Sequence, residues 1–305
     1  MTHAVELAGV TKTFGNHVAV DHLDLTVPRG TVYGFIGPNG SGKTTTLRMV
    51  LRIFYPDSGQ VTVLGQTQGT AADDRVGYLP EERGLYKKMK VRDLLRFYAE
   101  LKGMRDSRAE IDSWLERLGL ADWAAKRVET LSKGMAQKVQ FIGAVIARPE
   151  LVILDEPFSG LDPVNLETLK DAILDLRKQG ATIIFSTHDM DVAERMCDTI
   201  FMIYRGRKVL DGTLESIQAE FGVDTIRIRT SADNGHLRDL AGVVHVNDYG
   251  REKELRIQRG ADPQSILREL VHRISVERFE LTRPSLHDIF VRIAGPAAEG
   301  ASSHA

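Results

Sequence analysis

Cysteine is almost absent from this sequence. Cys197 is the only one in 305 residues, so no intrachain disulfide can form and a reducing compartment fits. Charge of one sign is equally lacking: 40 Lys and Arg stand against 42 Asp and Glu, a formal net charge of −2. That balance excludes a global field of the kind that draws nucleic acid or an acidic membrane surface. Long apolar runs are missing too. Phe141–Ala147 falls far short of the ~20 residues that span a bilayer. The first residues, MTHAVELAGV, lack the charged head and apolar core of a signal peptide. There is no internal repeat and no low-complexity block. What remains is 42% hydrophobic and 27% charged, the balance of a soluble globular chain long enough for one large or two ordinary domains.

The stretch Gly37-Pro38-Asn39-Gly40-Ser41-Gly42-Lys43-Thr44-Thr45 organises the rest. Gly37, Gly42, Lys43 and Thr44 fit the spacing G-x-x-x-x-G-K-[ST]. An apolar, β-prone run, Val32–Ile36, precedes it, and a helix-compatible run, Thr45–Leu51, follows. Glycines let such a loop wrap a phosphate chain, so that backbone N–H groups and a helix N-terminus face its negative charge. Lys43 then reaches the β- and γ-phosphates, and the Thr44 hydroxyl suits Mg²⁺. A Gly-rich turn with a surface lysine is the plain alternative.

Before the loop, Ala4–Val10 and His17–Val27 alternate as half-buried strands, with Pro28-Arg29-Gly30 as the turn between them and the loop strand. Val61–Leu64 reads as another strand. From about Val91 to Leu120 the pattern is helical, with Leu94, Leu95, Tyr98 and Leu101, then Ile111, Trp114, Leu115 and Leu118, on apolar faces. A third helix is expected after Leu131-Ser132, with Val139, Ile142, Gly143 and Ile146 along one side. Leu151–Leu154 and Thr182–Phe185 read as strands buried on both faces, and Ile200–Ile203 as a further strand. Strands alternating with helices predict an α/β core with a mainly parallel sheet. An N-terminal antiparallel subdomain and a helical insert at about 82–140 complete the first domain, 1–218. The pattern then changes. Residues 221–294 predict strand Asp224–Thr230, helix His236–Leu240 and strands Val243–Asp248 and Glu254–Gln258. Helix Ser265–Val271, strand Val276–Leu281 and a helix capped by Ser285 follow. That order, βαββαβα, suits a small α+β domain of ferredoxin-like form. The tail 295–305 is small and polar and reads as disordered.

Further motifs add chemistry. Leu151–Leu154 ends in Asp155-Glu156: Asp155 suits the Mg²⁺ shell and Glu156 a general base that polarises an attacking water. Leu131-Ser132-Lys133-Gly134-Met135 offers a Ser and a Gly at a helix start, which is an anion-binding end or an ordinary N-cap. Ser159-Gly160-Leu161-Asp162 follows the carboxylate pair. His188 ends a buried strand, and Phe14 is an aromatic that can stack on adenine or plug the core.

These motifs in this order resemble the ATP-binding subunits of ABC transporters over about residues 4–215. The resemblance implies ATP and Mg²⁺ as cofactors and a P-loop NTPase core. It implies a Walker A loop at Gly37–Thr44, a Walker B strand ending at Asp155 and a signature motif at Leu131–Met135. A D-loop at Ser159–Asp162, a switch histidine at His188 and a stacking ring at Phe14 complete the set. The implied catalytic residues are Glu156, His188 and Lys43. The implied nucleotide contacts are Phe14, the loop from Gly37 through Thr45, and Ser132, Gly134 and Asp162. The implied metal ligands are Thr44, Asp155 and Glu81. Two such domains are expected head to tail, as a second copy or a paralogue. An integral membrane permease is the other expected partner, no nucleic acid is expected, and the place is the cytoplasmic face of the plasma membrane. The closing run Arg283–Phe290 is similar to that of exporter subunits.

The sequence departs from the family pattern at three places. Lys133 and Met135 replace the third and fifth residues of LSGGQ, Glu81 stands where a lid-loop glutamine is usual, and Phe14 replaces a common tyrosine. The runner-up function is a soluble ABC-type switch on a ribosome or nucleic acid. Neither tandem ATP domains, long coiled coils nor a basic patch favours it. A non-hydrolysing binding module is disfavoured by Glu156 and His188, and a GTPase by the lack of an N-K-x-D motif. Leu85, Tyr86 and Met89 read either as a docking surface or as a patch tucking the insert onto the core.

Overall fold

The computed structural model describes residues 3–67, 74–82, 84–221, 225–230, 235–258 and 260–295. Two compact units divide the chain, Met1–Thr213 and Leu214–Ala305.

The first unit opens on β1 (His3–Phe14) and β2 (His17–Pro28), an antiparallel pair closed by a turn in which Phe14 faces His17. Alternation does the work here. Val5, Leu7 and Val10 on one strand and Leu23, Leu25 and Val27 on the other point inward, with polar residues between. β3 (Val32–Ile36) leaves this sheet for a second one, and β4 (Ser58–Val63) returns to pair with the free edge of β1. The three-stranded order is β2-β1-β4.

The second sheet gathers β3 with β5 (Val76–Leu79), β6 (Leu151–Asp155), β7 (Thr182–Thr187), β8 (Thr199–Tyr204) and β9 (Arg207–Gly212). Their order is β5-β6-β7-β3-β8-β9; the first five run parallel and β9 turns back antiparallel. Every residue of β3, β6 and β7 is buried, as strands covered on both faces must be. This order positions the chemistry. β6, β7 and β3 lie side by side and parallel, so the residues that leave their C-terminal ends meet along one edge. Open α/β sheets bind ligands at that edge.

The helices of this unit are α1 (Lys43–Val50), α2 (Val91–Leu101), α3 (Arg108–Arg117), α4 (Lys133–Val145), α5 (Pro163–Lys178) and α6 (Met190–Met196). α1 starts two residues earlier than its apolar pattern predicts, because Gly42, at φ +108°, supplies the left-handed entry. α2 and α3 break at Gly103, where φ is +77°. Leu94, Leu95, Ile111, Trp114, Leu115 and Leu118 join one core with Val139, Phe141, Ile142 and Ile146 of the α4 segment. Leu101, on the last turn of α2, departs from the expected face and is exposed. Gly143 is required for packing: a Cβ there would stand 2.7 Å from the Tyr98 ring. Leu85 and Met89 pack against this core, which supports the tucked-patch reading for those two, whereas Tyr86 is exposed and stands at right angles to the Phe97 ring. The strands β5 and β9 and the helices α5 and α6 carry no signal in the periodicity argument above.

The second unit comprises α7 (Leu214–Phe221), β10 (Thr225–Arg229), α8 (Gly235–Arg238), β11 (Val243–Tyr249), β12 (Glu252–Ile257), α9 (Pro263–Arg273), β13 (Arg278–Thr282) and α10 (Leu286–Ala294). After α7 the order is the expected βαββαβα, and the antiparallel sheet β11-β12-β10-β13 has ferredoxin-like topology. Ile226, Ile228, Val246, Leu255 and Ile257 pack with Leu237, Leu240, Ile266 and Leu270 on one face of that sheet. α9 begins at Pro263 rather than Ser265, because Asp262 caps it and proline suits the first turn. Ser285 caps α10 in a full capping box with Asp288. Of the tail expected to be disordered, 295–305, all but Gly295 lies outside the described residues, as does Asp224.

Candidate active site

A cleft of about 330 Å³ opens at the C-terminal edge of β3 and β6. Asn39, Gly40, Ser41, Gly42, Lys43, Thr44 and Thr45 form its floor. Phe14, His17 and Ala19 wall one side, and Glu81, Asp155 and Glu156 the other. The loop needs its glycines. Gly37 at φ +154° and Gly42 at φ +108° sit so close to the Ile203 and Ala19 carbonyls that a Cβ would come within 2.3 and 2.5 Å of them. Gly42 leaves α1 without a side-chain cap and without an acidic first turn, so the helix N–H groups are open to an anion.

Lys43 is buried, and its ammonium donates to the carbonyls of Gly37 (2.6 Å) and Pro38 (3.2 Å). Burial holds its pKa below the ordinary lysine value, while Glu156, Asp155 and Glu81 pull it back up. All three carboxylates are therefore electrostatic neighbours of the same amine. Phe14 is 44% exposed, in a T-shaped pair with Phe54 and with Lys12 over its ring, so it lines the cleft rather than plugging the core.

Asp155 and Glu156 are organised by a residue the sequence argument passed over. The Ser186 hydroxyl donates to Asp155 Oδ1 and accepts from the Glu156 backbone N–H (3.1 Å), and the Ser186 carbonyl accepts from that N–H as well (3.2 Å). A hydroxyl in a strand buried on both faces must find partners, and that requirement was the available signal. Glu156 adopts φ +50°, a conformation side chains rarely take, and its carboxylate Oε1 accepts from His188 Nδ1 at 2.9 Å. Glu156 is buried while His188 is largely exposed, so the histidine approaches the base from the solvent side.

The other Asp155 oxygen, Oδ2, is buried with no hydrogen-bond partner, as is Ser41 Oγ. A buried carboxylate oxygen left unpaired beside a threonine hydroxyl and Glu81 is a donor set for a hard cation. Among the described residues no three His, Cys, Asp or Glu side chains form a ready metal cage. Mg²⁺ does not need one, since it keeps waters and takes one or two carboxylates.

Ser132, Gly134 and Asp162 are not among the residues lining this cleft. Ser132 caps α4, accepting from the Met135 N–H at 3.2 Å. Asp162 caps α5, accepting from the N–H groups of Val164 and Asn165, and those bonds hold its pKa low. Within one chain, then, these three sit at helix starts and are not drawn to the loop.

The comparisons accord with this geometry. The family profile described as "ABC transporter" matches residues 20–159, and that of the "ATP-binding protein DrrA1-3-like, C-terminal domain" matches 212–294. An uncharacterized ABC transporter ATP-binding protein, YhaQ of Bacillus subtilis strain 168, is 44% identical over 95% of this chain and 98% of its own length. The chain belongs to the ABC transporter ATP-binding proteins. Another relative, the Nod factor export ATP-binding protein I of Rhizobium sp. strain N33, is 34% identical over 97% of this chain and 98% of its own. A solved ATP-binding subunit of an ABC transporter superposes with a TM-score of 0.66 at 30% identity, covering 72% of this chain and 93% of that one. Proteins of this family are ATPases, and so is this chain. Among the described residues of this ATPase no helix is long and apolar enough to cross a bilayer.

Proposed function

We propose that this ATPase powers an export-type ABC transporter from the cytoplasmic face of the plasma membrane. The observation that carries the reading is the convergence of Lys43, Asp155, Glu156 and Glu81 on one glycine-floored cleft. The loop from Gly37 through Thr45 cradles the phosphates, and Lys43 neutralises their charge. Phe14 stacks on the adenine. Thr44 and the free oxygen of Asp155 hold Mg²⁺, which supplies charge neutralisation at the phosphates. Glu156 accepts the proton of the attacking water, and His188 holds that carboxylate in place. Ser132 and Gly134, with Asp162, act across a head-to-tail dimer on the nucleotide of the other copy. The closed dimer binds ATP more tightly than the open one, and that difference drives the motion. The first unit is the motor, and 221–294 is an accessory domain. The export direction rests on similarity to the Nod factor export protein.

The permease docks at an apolar cleft of about 370 Å³ between the parallel sheet and the helical insert. Leu51, Ile53, Val76, Leu85, Tyr98 and Leu101 line it, and Ile53 and Leu101 are exposed. Exposed large apolar side chains around a groove suit the apolar face of a short helix, and Lys87 and Lys88 nearby suit its acidic residues. This gives the misfit Leu101 a role. Leu101→Asp should leave the ATPase rate of the isolated chain unchanged. It should cut recovery of a co-expressed membrane chain, encoded beside this one, by tenfold or more on affinity purification. Undiminished recovery would place docking elsewhere; failure of the unsubstituted chain to recover any membrane chain would overturn the transporter reading.

Glu81 adds a full negative charge where the family has a neutral amide. Hard cations prefer a carboxylate, so the residue strengthens the metal site. It also repels the γ-phosphate and Glu156; unit charges ~5 Å apart interact by roughly 3 kcal/mol at an effective dielectric of 20. A Mg²⁺ ion held by Glu81 would carry two positive charges and would outweigh that repulsion. Glu81→Gln should therefore raise the Mg²⁺ concentration for half-maximal ATPase several-fold, with a smaller change at saturating Mg²⁺. Superimposable Mg²⁺ titrations of the two proteins would remove Glu81 from the metal site.

A further inference from the structure

The second unit contains a cavity unlike either cleft of the first. It measures about 590 Å³ and lies on the face of the sheet opposite its apolar core, under one side of α10. Register assembles it. Thr225 of β10 pairs with Arg256 of β12, and Arg256 with His245 of β11; Asn247 pairs with Glu254 in the next row. Strand residues two apart share a face, so these side chains stand together on the polar side. His287, Asp288 and Arg292 of α10 close the cavity from above, with Tyr249 at its mouth.

The charges within it are not evenly committed. Glu254 is buried, and its Oε1 accepts two bonds from Arg227, at 3.1 and 2.7 Å. Asp288 is held by the backbone N–H and the hydroxyl of Ser285 in the capping box. Arg292 donates to Thr225 Oγ1 at 3.4 Å. His245 Nε2 lies 2.9 Å from Asn247 Oδ1. Both carboxylates of the cavity therefore already have partners. Arg256 is different: half-buried in the middle of a strand, it has no carboxylate opposite it in register, only Thr225 on one side and His245 on the other. Among the described residues Arg256 forms no ion pair; a half-buried guanidinium left so is costly, and its planar fork matches a carboxylate or a phosphate. His287 and the Tyr249 hydroxyl add donors around the same space.

We propose that this cavity binds a small organic oxyanion, a carboxylate or a phosphate ester, with Arg256 as its principal contact and His245 and His287 beside it. The site is separate from the nucleotide cleft and stands whether or not the transporter reading holds. It gives the accessory domain a ligand of its own.

The test uses the full chain and NMR signals of the His245 and His287 rings, titrated separately with succinate and with inorganic phosphate. A saturable shift of both rings with at least one probe is expected, and whichever probe saturates at the lower concentration identifies the ligand class. Arg256→Ala should weaken that binding at least tenfold, whereas Lys43→Ala, which removes the phosphate contact of the other site, should leave it unchanged. Arg256→Lys, which keeps the charge but not the fork, should fall between. An unchanged melting temperature in the Arg256 variants shows that the sheet is intact. Shifts that survive Arg256→Ala, that vanish with Lys43→Ala, or that fail to saturate by tens of millimolar with both probes would overturn the proposal.

Discussion

A Glu156→Gln chain is expected to bind ATP normally and to turn it over about 10²–10⁴-fold more slowly, the scale of losing a positioned general base. Glutamine keeps the shape of the side chain and still offers an oxygen to His188 Nδ1, which lies 2.9 Å from the Glu156 carboxylate. The bonds that the backbone N–H of residue 156 donates to Ser186 do not involve the substituted side chain and remain. Only the capacity to take a proton from water is removed. Nucleotide then persists where it would have been hydrolysed, so ATP should trap a dimer visible by size-exclusion chromatography. Turnover within a few-fold of the parent protein would remove Glu156 from the role of base.

The second large effect is a rescue. Lys43→Ala removes the buried ammonium beside the Gly37 and Pro38 carbonyls and should abolish ATPase activity. Ser132→Arg places a bulky side chain at the start of α4 and should abolish it as well. It also removes an N-cap, worth about 0.5–2 kcal/mol, so its folding needs checking by melting temperature. If Ser132 serves the opposite copy, a mixed dimer carries both lesions in one composite site and leaves the other intact. Mixing the two inactive proteins should therefore restore measurable activity. Continued inactivity, with mixed dimers demonstrated, would show that the sites are not shared or that both must fire together.

The parts of the molecule legible in the sequence are those with a local signature. The glycine loop, the strand ending in Asp155-Glu156 and the alternation of β1 and β2 each follow from a few adjacent residues. So does most of the βαββαβα order of the second unit, because all its strands and helices except the four-residue α8 are long enough to show their period. The lid-loop strand β5 was illegible, since four residues carry too little period, and β9 was illegible because a half-exposed edge strand need not be apolar. For α5 the local signal is Asp162-Pro163, a strong helix start, with Asp162 serving as its cap. The function of Ser186 was invisible for another reason. It depends on β7 lying against β6, which is a fact of sheet order. His17 and Ala19 join the cleft wall by the same kind of long-range placement.

The lone cysteine has a practical consequence. Cys197 lies under β3, where its sulfur would stand 2.3 Å from any Cβ placed on Gly34. Burial, with Asp198 adjacent, pushes its thiol well above the ordinary range, so almost none is thiolate near neutrality. The native thiol, half-buried and held protonated, should therefore react slowly with maleimides and disulfide-forming reagents. A single cysteine introduced on any exposed surface should react far faster than Cys197. Spin labels, fluorophores and cross-linkers can then be placed at will without first editing the wild-type sequence.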